Sequence, residues 1–236
     1  MFKLKISIVI PIHNEGDFIK TLVARIAQYV KEEYEILFVY DSPEEVSLPI
    51  ILEIRRTDSR IRAILNSIGR GPATAIRTGI ENSRGEVVVI CMADGSDDVK
   101  SIPDLFGLVE RGIVVACASR YMPGGRQIGA PWLKSKLSRI AGLMLYWLAR
   151  IGTKDSTNSF KAYKREFLLQ TQIESTEGFE IGLELVAKAK RQKLPIAEIP
   201  TIWIERSFGS SNFKLFQWLP KYLYWFFYAF GIGARR

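Results

Sequence analysis

The sequence predicts an α/β domain followed by an aromatic C-terminal helix, and three observations predict it. Short apolar runs rich in Ile and Val, at residues 6–10, 36–40, 62–65, 86–92 and 113–119, alternate with stretches whose apolar residues recur at helical spacing. One of these runs, Glu86 to Met92, is closed by Ala93-Asp94-Gly95-Ser96-Asp97-Asp98, the pattern of a buried strand whose carboxyl end delivers carboxylates to a crevice. The end of the chain, Leu215 to Ile232, gathers Phe216, Trp218, Tyr222, Trp225, Phe226 and Phe230. With 236 residues, 47% of them hydrophobic, the chain is long enough to bury one large core.

Taken in order, Ile6 to Ile10 is a first strand ended by Pro11, and Phe18, Ile19, Leu22, Val23, Ile26 and Val30 mark the helix after it. The loop between them, Pro11 to Gly16, lacks the glycine fingerprint that brings backbone against a dinucleotide pyrophosphate, which argues against a dehydrogenase. Ile36 to Tyr40 is a second strand, ending at Asp41-Ser42, where a carboxylate can accept hydrogen bonds from a base or ribose or simply cap a helix. The segment Pro43 to Ile54, interrupted by Pro49, reads as only weakly helical. Arg62 to Leu65 is a third strand, and Gly69-Arg70-Gly71-Pro72 leads into a helix through Ala73, Ile76 and Ile80. After the fourth strand and its acidic turn come a helix to Glu110 and a fifth strand, Ile113 to Ser119.

Arg120 to Gly129, with three glycines and two arginines, reads as a loop able to close over phosphate or as a plain surface loop. Leu137, Ile140, Ala141, Met144, Leu145, Leu148 and Ile151 follow a helix face. Its opening cations, Lys134, Lys136 and Arg139, oppose the helix dipole and point to a nearby anion. Asp155 to Tyr163 is a polar link into a short extended piece. Gly178 to Arg191 is a helix with Glu180 and Glu184 on one face, where they are either catalytic or paired with Lys188. Short strands at Ile196 to Glu198 and Thr201 to Glu205 precede the small-residue loop Arg206 to Lys214. The final helix has a charge-free run, Tyr222 to Ala234, shorter than the ~20 residues that span a bilayer. Flanked by Lys214, Lys221, Arg235 and Arg236, it fits the membrane interface, and it equally fits a helix docked on its own domain.

Charge is divided. Residues 1–119 hold 14 Lys/Arg against 17 Asp/Glu, whereas residues 120–236 hold 19 against 8. A basic, aromatic second half suits an anionic membrane surface; no helix-turn-helix, zinc or RNA-module signature supports nucleic acid. Cys91 and Cys117 lie inside apolar runs as small buried hydrophobes, and His13 is the only histidine.

In series, these stretches resemble the family-two glycosyltransferases of the A-type fold, and among them the dolichyl-phosphate mannose synthase group. The motifs that carry the resemblance are Ile8-Val9-Ile10-Pro11 with Asn14-Glu15, Asp41-Ser42, Gly71 with Ala73, Ala75-Ile76 and Gly79-Ile80, and Ala93-Asp94 on the family's metal motif. Further along come Ser119-Arg120-Tyr121, Gly124-Gly125, Asp155-Ser156-Thr157 with Phe160-Lys161-Ala162, Gly178-Phe179-Glu180, and Arg206 with Gly209 and Ser211. The chain departs from the family at Met92, where the metal motif begins with aspartate, and at Asn212, where a second cation is usual and Lys214 would stand in.

The resemblance implies a mixed central sheet in a single Rossmann-like catalytic domain over 1–214, with a nucleotide-sugar half at 1–119, an acceptor half at 120–214, and an interface helix at 215–236. It implies an inverting transfer of a hexose, mannose or glucose, from a nucleoside-diphosphate sugar to a polyprenyl phosphate. Pro11, Asn14, Glu15, Asp41, Ser42, Ala73, Ala93 and Asp94 would bind the donor. Asp94 with Ser96 would hold Mg2+ or Mn2+; Asp94, Arg120 and Arg206 would carry the chemistry; Arg126, Arg206, Ser211 and Lys214 would take the acceptor phosphate; and Glu180 and Asp97 would assist. The expected location is the cytoplasmic face of a membrane, peripherally bound, with a transmembrane partner left open as part of the anchor. Two alternatives stay open: a same-fold enzyme acting on a lipid-linked or soluble saccharide with Glu180 as base, and a membrane-surface binding protein that lost catalysis with its first metal aspartate.

Overall fold

The computed structural model describes residues 4–205 and 215–233. Among these residues a seven-stranded mixed sheet runs in the order β3-β2-β1-β4-β7-β5-β8. Its strands are β1 (Ile6–Pro11), β2 (Tyr34–Tyr40), β3 (Ile61–Leu65), β4 (Val87–Ile90), β5 (Val115–Ser119), β7 (Lys161–Lys164) and β8 (Ile196–Pro200). β7 alone among them is antiparallel to its neighbours, pairing Ile90 with Lys161 on one side and Cys117 with Lys161 on the other. Its amino end therefore meets the carboxyl ends of β4 and β5.

Successive strand residues point to opposite faces, and along β1, β4 and β5 both faces are buried, which is why these strands read as runs without charge. Ile8, Ile10, Phe38 and Val89 pack against α1 (Phe18–Tyr29), α2 (Leu48–Thr57) and α4 (Ile102–Glu110). Val9, Leu37, Val88 and Tyr163 pack against α3 (Pro72–Asn82), α6 (Arg165–Gln170), α7 (Ile181–Arg191) and α8 (Leu215–Ala229). Each such side chain, fully burying an Ile, Val or Phe, contributes about 1.5–3 kcal/mol. Cys91 and Cys117 are both buried free thiols, in keeping with their apolar surroundings.

Three elements depart from expectation. α2 is a regular helix because Pro49 falls in its first turn, where a missing N–H costs no hydrogen bond. The loop after β5 contains β6 (Arg126–Ile128), which pairs in parallel with β9 (Ile202–Ile204). α5 (Trp132–Met144) ends in a π-helical turn, Leu145–Ala149, closed by Arg150 in the left-handed conformation. α8 buries Trp218, Trp225 and Ala229 and packs on α7. No helix among the described residues is long and apolar enough to cross a membrane.

Candidate active site

The carboxyl ends of the parallel strands and the amino end of β7 open on one edge of the sheet, the position at which open α/β sheets bind ligands. The first loop is held from outside itself. Glu45 accepts from the backbone N–H of Asn14 at 2.8 Å, and Ser47 accepts from those of Glu15 and Gly16 at 3.0 and 3.1 Å. Asn14 stands at φ 62°, a conformation asparagine tolerates better than most residues. Pro11 is half-buried and leads into this loop, so its rigid φ sets the exit from β1.

Asp41, at the end of β2, accepts from Asn66 Nδ2 and from the backbone N–H of Gly71, both at 2.7 Å. Asn66 is in turn fixed by Thr74 and Thr78 of α3. The carboxylate thus ties together the ends of β2 and β3 and the start of α3. Gly71, at φ 103°, is required twice over, because a Cβ there would also stand 2.8 Å from the carbonyl oxygen of Glu177. Ser42 bonds to Glu44 on the surface. Ala73, in the first turn of α3, and Ala93, just past β4, are both buried.

The acidic turn divides its carboxylates. Asp97 is buried and accepts from the backbone N–H of Met92 at 2.9 Å; burial pushes its carboxyl up to about 7, with the neighbouring Asp94 charge adding to the effect. Asp98 bonds back to the N–H of Lys100. Ser96 is buried, and its carbonyl accepts from Ile204 N. Asp94 is half-buried, with one oxygen on the N–H of Ser96 at 3.0 Å. Gly95, at φ 75°, lies against Phe18, where a Cβ would come within 2.4 Å of the ring.

Mg2+ and Mn2+ take oxygen ligands, and Mg2+ is commonly held through one or two carboxylates plus substrate phosphates. Asp94 satisfies that requirement. Met92 offers a neutral, soft thioether, and Asp97 is turned inward. Among the described residues no three His, Cys, Asp or Glu side chains converge. The donor set therefore fits a cation held by one carboxylate together with the phosphates of a bound nucleotide.

Arg120, at the end of β5, is not aimed into open space. Its Nε and Nη2 meet Asp155 at 2.7 and 2.9 Å, its backbone N–H meets the same carboxylate at 2.9 Å, and Nη2 also reaches Thr157 at 3.2 Å. Burial would raise the Asp155 carboxyl, but the Arg120 charge and hydrogen bonds outweigh it and hold the group below its ordinary value. Hydroxyls gather around this pair: Ser138 lies 2.6 Å from Thr157, and Tyr121 donates to Ser138 at 3.0 Å. Arg126 is exposed on β6. Arg206, Ser211 and Lys214 lie outside the described residues.

Lys161 is fully buried and donates to the carbonyls of Ser156 and Asn158, fixing the link before β7. Glu180 opens α7 and is 1% exposed; its Oε1 accepts from Gly178 N at 3.3 Å, and its Oε2 has no hydrogen-bond partner among the described residues. Glu184, by contrast, is taken up by Lys188 at 2.7 Å and by the N–H groups of Glu174 and Ser175. Glu45, Ser47 and Asn66 belong to none of the motifs read from the sequence; Asn66 directly follows β3, and Glu45 and Ser47 lie in the stretch between β2 and α2, where Ser47 precedes the helix. Lys161 is a charge inside an apolar run, a pattern that by itself marks a buried, paired lysine.

A family model described as "Glycosyl transferase family 2" matches residues 7–170. A polyprenol monophosphomannose synthase of Mycolicibacterium smegmatis is 27% identical over 211 residues, covering 87% of this chain and 79% of that protein. A dolichol-phosphate mannosyltransferase of Pyrococcus furiosus is 27% identical over 214 residues, covering 89% of this chain and 60% of that protein. Among solved structures, a glucosyl-3-phosphoglycerate synthase of Mycobacterium tuberculosis, in complex with Mn2+, UDP and glucosyl-3-phosphoglycerate, superposes with TM-score 0.70 at 16% identity, over 98% of this chain and 81% of that one.

Proposed function

Because this chain belongs to glycosyl transferase family 2 and is a glycosyltransferase, we propose that it moves a hexose from a nucleoside-diphosphate sugar onto a polyprenyl phosphate at a membrane surface. One observation carries the reading. Of the carboxylates at the strand ends, Asp41, Asp97 and Asp155 are engaged by the fold, and Asp94 stands half-open at the end of β4. The two curated relatives, named for polyprenol and dolichol phosphate, support a lipid phosphate as acceptor.

In this reading the loop held by Glu45 and Ser47 and the Asp41 junction shape the donor pocket. A divalent cation on Asp94 would supply neutralisation of the departing diphosphate. An acceptor phosphate, with its second pKa near ~6, is largely ionised at neutral pH and needs no general base. Its oxygen attacks the anomeric carbon, the bond to the diphosphate breaks on the opposite side, and configuration inverts. Arg120, committed to Asp155, keeps the Ser138 and Thr157 hydroxyls in place beside the acceptor path, and the exposed Arg126 offers a cation to the phosphate. Arg206, Ser211 and Lys214 complete the acceptor site in the same proposal.

Oε2 of Glu180, which has no hydrogen-bond partner among the described residues, favours a second reading, a saccharide acceptor deprotonated by Glu180. Transfer assays with purified polyprenyl phosphate and with sugar acceptors, on wild type and Glu180→Gln, separate the two. With a lipid phosphate acceptor, Glu180→Gln keeps its rate within about tenfold; with a saccharide acceptor it loses roughly 10²–10⁴. Activity with sugars alone would end the first reading.

A further inference from the structure

The link between α6 and α7, residues 171–180, touches three parts of the molecule. Its first half is bound to α7. Glu184 accepts from the backbone N–H groups of Glu174 and Ser175 at 2.6 and 2.8 Å, and Lys188 pairs with both Glu174 and Glu184 while lying 4.9 Å from the centre of the Trp225 ring of α8. Its second half is gripped by α8. The Phe179 ring meets Trp218 edge to face at 5.8 Å, a Cβ on Gly178 would come within 2.9 Å of the Trp218 ring, and Glu177 Oε2 pairs with Lys221 Nζ at 2.6 Å. The third contact is the carbonyl of Glu177, which lies against Gly71 at the start of α3 so closely that a Cβ there would stand 2.8 Å from its oxygen.

Glu177 thus meets α8 with its side chain and α3 with its backbone. Gly71 is committed on both sides, its N–H to Asp41 at 2.7 Å and its carbonyl to the N–H of Ala75 at 3.0 Å. Close-packed atoms transmit displacement rather than absorb it. A shift of Glu177 toward α3 drives its carbonyl into Gly71, a shift away opens a gap beside it, and either one loosens the bond from Gly71 to Asp41. We propose that Glu177 is a positioning residue of the donor site: α8 holds its side chain, and through the carbonyl seated on Gly71 that helix sets how tightly the Asp41 junction grips a nucleotide sugar. The inference rests on the reading of that junction as part of the donor pocket. Coupling between sites is reciprocal, so a bound donor steadies α8 in turn.

The test titrates the full chain with GDP-mannose and with UDP-glucose in the presence of Mn2+, on wild type, Lys221→Glu, Glu177→Gln, and the exchanged pair Glu177→Lys with Lys221→Glu. A partly exposed ion pair shifts an equilibrium by up to about fivefold, and reversing one charge turns attraction into repulsion, so Lys221→Glu should weaken donor binding at least about threefold. Glu177→Gln should weaken it by less, and the exchanged pair should return it to within about twofold of wild type. All four proteins should unfold at similar temperatures, since both side chains reach solvent. Hydrogen exchange supplies a readout that a merely structural contact would not move: donor should slow exchange of the α8 amides in wild type and leave them unchanged in Lys221→Glu. Donor binding by Lys221→Glu equal to wild type, or an exchanged pair as weak as the single variant, overturns the role of Glu177 and leaves the glycosyltransferase reading standing. A wild type that binds neither donor overturns the donor pocket and this inference together.

Discussion

Arg120 and Asp155 sit 35 residues apart in the chain and form a bidentate pair in which the carboxylate is fully buried. Removing one partner strands the other charge, so Asp155→Asn is expected to cost about 3–5 kcal/mol in denaturant unfolding. Asp97 works in the opposite sense. Burial raises its carboxyl from 3.8 to about 7, so between those values the folded protein keeps a proton that the unfolded chain has released. Its contribution is fully present below about pH 4 and is lost as pH rises through about 7, a change of up to roughly 4 kcal/mol. Asp97→Asn, which keeps an oxygen for Met92 N, should flatten the fall in melting temperature across that window when measured in chelator. A fall as steep as in wild type would assign the pH dependence to other groups.

Two helix glycines give opposite expectations from the same substitution. Gly107, in α4, has nothing within 4 Å of an added Cβ, so Gly107→Ala should stabilise by about 0.5–1 kcal/mol. At Gly142, in α5, that Cβ would stand 2.1 Å from the backbone oxygen of Lys154, and Gly142→Ala should destabilise by about 1–3 kcal/mol. Thermal unfolding of the two variants reads both signs. The strands β1, β2, β4 and β5 were legible because burial on two faces leaves runs of apolar residues, and α1 because one face alone is buried, at Ile19, Leu22, Val23 and Ile26. β6 and β9 were not legible as a pair, since three residues with mostly exposed side chains carry no period and their pairing joins segments some seventy residues apart. In α5 the period was legible and its direction was not. A stripe of Leu, Ile and Met announces a helix face, and only the fold shows that Gly142 and Leu145 take the inside.

Over the whole molecule, the acidic first half supplies the carboxyl ends of β1, β2 and β4 that open on the crevice, and the basic second half supplies β7, α5 and α8. The site residues expected from the family motifs divide accordingly. Asp41 proved to be a junction between β2, β3 and α3, and Arg120 a partner of Asp155, neither relation being visible in spacing along the chain. Asp94 stands half-buried just past the end of β4. Calorimetric titration with GDP-mannose and with UDP-glucose, with and without Mn2+, on wild type and Asp94→Ala, therefore tests the central claim most directly. Metal-dependent binding of one donor, weakened at least about tenfold in the variant, is the result expected if a cation on one carboxylate completes the donor site. Binding of neither donor under any metal condition, or equal binding by the variant, would contradict it.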